Sequence, residues 1–128
     1  MRDVISQFMI RNVADAKSEQ SISHVRHQML KAAFSHLPIF WDGSWCLIGE
    51  RATARYVRGA PTRHVREKRL ATKLEDAIAS KAISLSHAKT ALPDTLVEDI
   101  QATMLDEPIV VVDEGNRLVG MLPAPGMF

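Results

Sequence analysis

Glu107-Pro108-Ile109-Val110-Val111-Val112-Asp113-Glu114-Gly115-Asn116-Arg117-Leu118-Val119-Gly120 decides the fold, because an earlier stretch repeats its plan. That earlier stretch is Leu37-Pro38-Ile39-Phe40-Trp41-Asp42-Gly43-Ser44-Trp45-Cys46-Leu47-Ile48-Gly49. Both run Pro, apolar segment, Asp, turn, two apolar residues, Gly. The interval from Pro to the closing Gly is 11 residues in the first copy and 12 in the second. Each copy reads as a β-hairpin. Ile39–Trp41 and Ile109–Val112 are short β-branched and aromatic runs suited to buried strands. Asp42-Gly43 and Asp113-Glu114-Gly115-Asn116 supply turn residues that tolerate left-handed backbone. Each Pro lacks an N–H and suits a strand entrance or an edge. An isolated hairpin is marginal, so helices or further strands must cover each apolar face.

The covering helices lie upstream. Ile22, Val25, Met29 and Ala33 fall at i, i+3, i+7 and i+11, one face of a helix with Ser21 as its N-cap. In the second copy Thr95-Leu96-Val97-Glu98 fits a capping box, and Leu96, Ile100 and Met104 follow at i, i+4 and i+8. Each copy opens with an apolar helical turn. In the first it is Val4, Ile5, Phe8 and Met9; in the second a further capping box, Thr72-Lys73-Leu74-Glu75, precedes Ala77 and Ile78. Short extended pieces, roughly 12–16 and 86–92, join opening turn to main helix. The predicted unit is helix–strand–helix–strand–strand, present twice. Pro123 and Pro125 argue against a closing helix after the second copy. Ile22 to Pro38 is 16 residues but Leu96 to Pro108 only 12, so the second copy lacks a turn of helix or the approach strand His36-Leu37.

This layout resembles the cystathionine β-synthase (CBS) domain, and two in tandem resemble a CBS pair, or Bateman module. The residues that carry the resemblance are Val4 to Met9, Gln20-Ser21-Ile22, Leu37-Pro38-Ile39 with Leu47-Ile48-Gly49, Leu74 to Ile78, Pro93-Asp94-Thr95-Leu96 and Pro108 to Gly120. The resemblance implies an α/β (α+β) fold: two CBS-type βαββα units, 1–58 and 74–128, packed about a pseudo-two-fold axis, with a basic linker over 59–73. It implies a regulatory, signal-sensing role, a homodimer, and an adenosine-type ligand such as AMP, ATP or S-adenosylmethionine in the cleft between units. No cofactor is required. The pair takes up all 128 residues, so the expected target is a separate enzyme or transporter partner. Nucleotide-binding members often follow the second hairpin strand with Thr or Ser and then Asp, for phosphate and ribose. Here those positions hold Ala52 (or Thr53, one residue on) and Arg55 in the first copy, and Pro123 and Gly126 in the second. These departures favour an alternative role, a ligand-free dimerisation or protein-interaction module.

Charge patterning points to one segment. The net charge is +1, which compels neither a nucleic-acid nor a membrane partner. Residues 51–73 nevertheless hold eight basic residues and one acid, Glu67, while residues 74–128 hold three basic and nine acidic. The basic stretch reads either as an anion site or as a solvated connector balanced by the acidic half. Arg51, Arg55 and Arg58 stand at i, i+4 and i+7, one helical stripe with Tyr56 to its side. Clustered guanidinium groups take phosphate in bidentate fashion. Under the resemblance this is the phosphate side of the cleft, with Thr53 beside it and apolar walls from Ile39 and Ile109.

Other chemistry is not expected. One cysteine, Cys46, excludes an internal disulfide framework and reads as a small core residue. His24 and His27 are spaced i, i+3 without a third ligand, so no metal site is expected. Trp41 and Trp45 flank the first turn and read as an aromatic pair at the hairpin tip. There is no glycine-rich phosphate loop and no Gly-x-Ser-x-Gly elbow, and no enzyme is expected. No apolar run reaches membrane-spanning length, and no secretory leader pattern opens the chain, so the expected location is the cytoplasm.

Overall fold

The computed structural model describes residues 2–101 and 107–123. Two three-stranded sheets form around the two hairpins. They belong to two compact bodies, Asp15–His87 and Met1–Ala14 with Ala88–Phe128.

In the body Asp15–His87, β1 (His36–Trp41) and β2 (Ser44–Gly49) pair antiparallel, with Trp41 opposite Ser44 and His36 opposite Gly49. The loop is therefore Asp42-Gly43, with φ of 51° and 82°. Two positive φ angles give the mirror-image turn whose twist matches that of the strands. Pro38 sits inside β1, but β1 is an edge strand. Its carbonyl accepts from Ala16 N at 2.8 Å, on the side away from β2, where its missing N–H breaks no β1–β2 bond. α1 (Ile22–Ala32) starts at Ser21, whose hydroxyl accepts from His24 N at 3.1 Å. Ile22, Val25 and Met29 are buried as expected, while Ala33 is the left-handed C-cap. α2 (Glu50–Arg58) follows β2 without a loop, and α3 (Arg63–Ala71) and α4 (Leu74–Ala79) come next. The core gathers Ile22, Val25, Met29, Leu37, Ile39, Ile48 and Leu74, among others.

The second body holds β4 (Thr90–Ala91), parallel to β5 (Ile109–Val112), which pairs antiparallel with β6 (Leu118–Leu122). Val111 faces Gly120 and Val112 faces Leu118, so the second strand bulges at Val119. The Asp113 carboxylate organises the turn, accepting from Gly115 N and Arg117 N at 2.9 Å each and from Arg117 Nε at 3.1 Å. α5 (Val97–Gln101) and a 3-10 turn at Ile5–Gln7 cover this sheet, with Ile5, Ile100, Ile109, Val111 and Leu122 in the core.

The bodies do not follow the linear division of the repeat, because the copies exchange their opening turns. Val4 of the first copy bridges Leu96 of the second, flanked by Ile5 N→Thr95 O and Val97 N→Asp3 O at 2.9 Å each. Lys73 of the second copy bridges Ser21 of the first, flanked by Ile22 N→Thr72 O at 2.9 Å and Leu74 N→Gln20 O at 2.8 Å. The joining segments are shared in the same way. Ile10 pairs antiparallel with Met121 and Ala16 parallel with Ile39. In the second copy β3 (Ser86–His87) pairs antiparallel with β2, and Thr90–Ala91 parallel with β5.

Several expectations change. The linker over 59–73 contains a helix, α3, capped by Thr62, whose hydroxyl accepts from Val65 N at 3.2 Å. Neither proposed capping box starts its helix. Leu96 is held in a bridge, so α5 begins at Val97. The Thr72 hydroxyl donates backward to Lys68 O at 2.8 Å, and α4 is started instead by the Ser18 and Gln20 carbonyls. β5 begins after Pro108 whereas β1 begins before Pro38, so among the described residues no approach strand precedes Pro108. The aromatic pair at the first hairpin is Phe40 with Trp45, centroids 5.3 Å apart, because Trp41 faces Ser44 in the register. Met104 and Pro125 lie outside the described residues.

Two predictions follow from this packing. A Cβ on Gly120 would stand 2.8 Å from the Ile10 carbonyl and 2.9 Å from Met9 Sδ. Gly120→Ala should cost about 1–3 kcal/mol, read as a lowered urea midpoint with the slope unchanged. The Asp113 carboxyl is held below its ordinary range, first by the Arg117 N–H, then by the Arg117 charge and the Gly115 N–H. Its stabilising effect is complete above the unfolded carboxyl's pKa and is lost as pH falls through the lower folded value. Asp113→Asn should therefore be less stable than the parent at neutral pH, and the gap should close at strongly acidic pH.

Candidate functional site

Gly49 ends β2 and serves as N-cap of α2 with extended backbone. The Glu50 N–H donates to Ser35 O at 2.8 Å, which fixes the helix start against the entrance to β1. The sequence then divides α2 sharply. Thr53 and Val57 are buried on one face, Arg51, Arg55 and Arg58 are exposed on the other, and buried Ala54 lies at the boundary. The Thr53 hydroxyl donates to Glu50 O at 2.8 Å, closing the first turn from within.

A shallow groove of about 550 Å³ runs along the exposed face, lined by Glu50, Arg51, Ala54, Arg55, Arg58 and Gly59. Ala54 and Gly59 give its floor little bulk, and the three guanidinium groups have no ion-pair partner among the described residues. Glu50 is the single acid in the lining. Its charge lies at the helix N-terminus, while Arg55 and Arg58 lie in the last turn, so each complements the helix dipole. α3 supports the far end of α2. Arg69 Nη1 donates to Tyr56 O at 2.8 Å, and its guanidinium lies 5.1 Å from the Tyr56 ring centroid. Arg63 is paired with Glu67 at 3.2 Å. Two of the eight basic residues of 51–73 thus have structural partners, and the three on α2 face the groove.

The structure brings together Arg51, Arg55 and Arg58 but not the other expected site residues. Thr53 is wholly buried, so its hydroxyl does not face the groove. Ile39 is 1% exposed in one core and Ile109 2% exposed in the other, so both are core residues and not open walls. Neither Glu50 and Gly59 in the lining nor the Arg69 buttress was foreseen. The Tyr56–Arg69 contact spans two helices and leaves no periodic trace in the sequence. Elsewhere, His24 and His27 are exposed on α1, and no group of three metal-ligating side chains exists among the described residues. Cys46 is buried in the core. No helix among the described residues is long and apolar enough to cross a membrane.

No family model matches the sequence, and no curated protein matches it. Solved structures do. CBSX2 from Arabidopsis thaliana, a CBS-pair protein, is 16% identical with a TM-score of 0.69, over 96% of this chain and 89% of that one. CBSX2 has also been crystallised in complex with AMP. The CBS domain pair of MJ0100, in complex with 5-methylthioadenosine and S-adenosyl-L-methionine, is 18% identical with a TM-score of 0.67, over 96% and 90% of the two chains. CbpB, in complex with c-di-AMP, is 14% identical with a TM-score of 0.63, over 94% and 79%. At such identities the likeness establishes architecture. Two hairpin-centred sheets, the helices that cover them and these neighbours agree: the chain has the α+β fold of a tandem CBS-domain pair, a Bateman module.

Proposed function

We propose that this chain is a regulatory module, without catalysis of its own, that binds a phosphorylated adenosine-type ligand through the arginine face of α2. The observation that carries the reading is the groove itself: three exposed arginines on one helix face, none ion-paired among the described residues, over a floor of small residues. Nucleotide complexes of similar folds support the ligand class, AMP on CBSX2 and c-di-AMP on CbpB. The first and last of the three arginines are seven positions apart, about 10 Å along the helix. That reach suits a ligand with two or more phosphates better than one. S-adenosylmethionine carries no phosphate and makes a poor fit to this face.

Calorimetric titration tests the reading. ATP should bind more tightly than AMP, and S-adenosylmethionine should give no heat. Each of Arg55→Ala and Arg58→Ala should weaken ATP about tenfold or more, the loss of a charge-assisted contact. Absence of binding by every nucleotide at millimolar concentration would overturn the ligand reading and leave the interaction-module role.

We also propose that the chain forms a homodimer. Leu30, on α1, is 81% exposed, and it lines a depression of about 430 Å³ with Phe34, Ala33 and His27. An apolar side chain so exposed beside an apolar hollow fits a protein surface. Sedimentation should show a dimer, and Leu30→Glu should shift it to monomer. A monomeric parent chain at all concentrations would remove this part of the reading.

A further inference from the structure

The depression of about 430 Å³ beside Leu30 has a polar lining as well as an apolar one. It lies wholly within the body Asp15–His87 and shares only Glu50 with the arginine groove. The end of α1, the segment that enters β1 and the first residue of α2 frame it. Backbone hydrogen bonds fix that frame. Phe34 N donates to Met29 O at 3.0 Å and Ala33 N to Leu30 O at 3.2 Å, closing α1, and Glu50 N donates to Ser35 O at 2.8 Å. The apolar lining, from Leu30 to Phe34, carries the dimer reading above. Arg26 and Glu50, which line the same hollow, have no part in that reading.

Arg26 is incomplete as it stands. Its Nη1 is buried and meets no acceptor among the described residues. Buried N–H groups are almost always paired, and one left unpaired is costly. Neither Arg26 nor Glu50 makes an ion pair among the described residues. A guanidinium without an acceptor gains a charge-assisted bond by turning to an anion in the hollow. The unpaired carboxylate of Glu50 is matched by a cation. The C-terminal end of α1, which borders the hollow through its cap Ala33, also favours positive charge.

From this arrangement we infer that the hollow binds a free α-amino acid with a large apolar side chain. The ligand's carboxylate accepts from the Arg26 guanidinium, its ammonium donates to Glu50, and its side chain covers Leu30 and Phe34. An apolar carboxylic acid would leave Glu50 unmatched, and a polar amino acid would leave the apolar lining unmatched. The volume lies within the range of small-molecule sites. Neither the nucleotide reading nor the dimer reading is needed for this site.

Calorimetric titration of the full chain with L-phenylalanine and two of its analogues tests the assignment. L-phenylalanine should bind. Phenylpropanoate lacks the ammonium and L-phenylalaninamide lacks the carboxylate, so each should bind about tenfold more weakly, the loss of one charged contact. L-glutamate should give no heat. Arg26→Gln should weaken L-phenylalanine by a similar factor and leave the response to ATP as in the parent chain, since Arg26 does not line the arginine groove. Circular dichroism checks that this variant is folded; if it is not, the analogues decide on the parent chain. No heat from L-phenylalanine or L-leucine at high millimolar concentration overturns the inference. Equal affinity for L-phenylalanine and phenylpropanoate, or binding that ignores Arg26→Gln in a folded variant, overturns it as well.

Discussion

Ile5 and Leu74 are the hinge points of the architecture, each inserted by one copy of the repeat into the body that holds the other copy's hairpin. Both side chains are wholly buried. Each is flanked by a bridge and two backbone hydrogen bonds that tie the opening turn to the partner copy's main helix. Burying such a side chain contributes roughly 1.5–3 kcal/mol. A copy cut from the chain would lose that side chain from the core of its own hairpin. It would also carry its own opening turn with no core to enter. For small α+β units of this size, with little surface to bury, the exchange is the constraint from which the remaining packing follows.

The exchange explains the form of the joining segments. Each leaves one body as an antiparallel partner and enters the other as a parallel one, at Ile10 and Ala16 in the first copy and at Ser86–His87 and Thr90–Ala91 in the second. Each hairpin is thus extended on both edges, by one copy's joining segment on one strand and by the other copy's on the other. It also explains Gly120. Segment 9–10 approaches β6 so closely that a side chain there would meet a backbone carbonyl. Gly49, in the matching position of the first copy, meets only the His36 ring at 3.5 Å and serves instead as the helix N-cap. One glycine is held by close approach and the other by a helix start, although both close a hairpin.

The arginine face depends on the same frame. α2 runs directly out of β2, so the hairpin's register sets the helix's orientation, and Thr53 and Val57 commit one face to the interior. The remaining face is cationic by composition alone. α3 buries no residue of its own, yet Arg69 uses its guanidinium against the Tyr56 carbonyl and ring. This is why a stretch with the composition of a solvated connector holds a helix. Its charge is partly structural and partly free, and the distinction lies in contacts between helices.

The hairpins, their turns, the main helix of the first copy and the arginine stripe were all legible in the sequence, because each depends on neighbours within one element. Alternation in a strand, a 3.6-residue period, and Asp-Gly at a tight turn are local signals. Even the repeat is local, a comparison of one segment with another. The helix starts of the second copy were misread because the capping pattern at Thr72 and Thr95 competes with backbone bridges to residues some fifty to ninety positions away. Ile39, Ile109 and Thr53 were misplaced for a related reason: spacing shows which face a residue occupies, not whether that face is covered. Which copy's opening turn covers which hairpin was decided only in three dimensions, by long-range pairing that leaves no period along the chain.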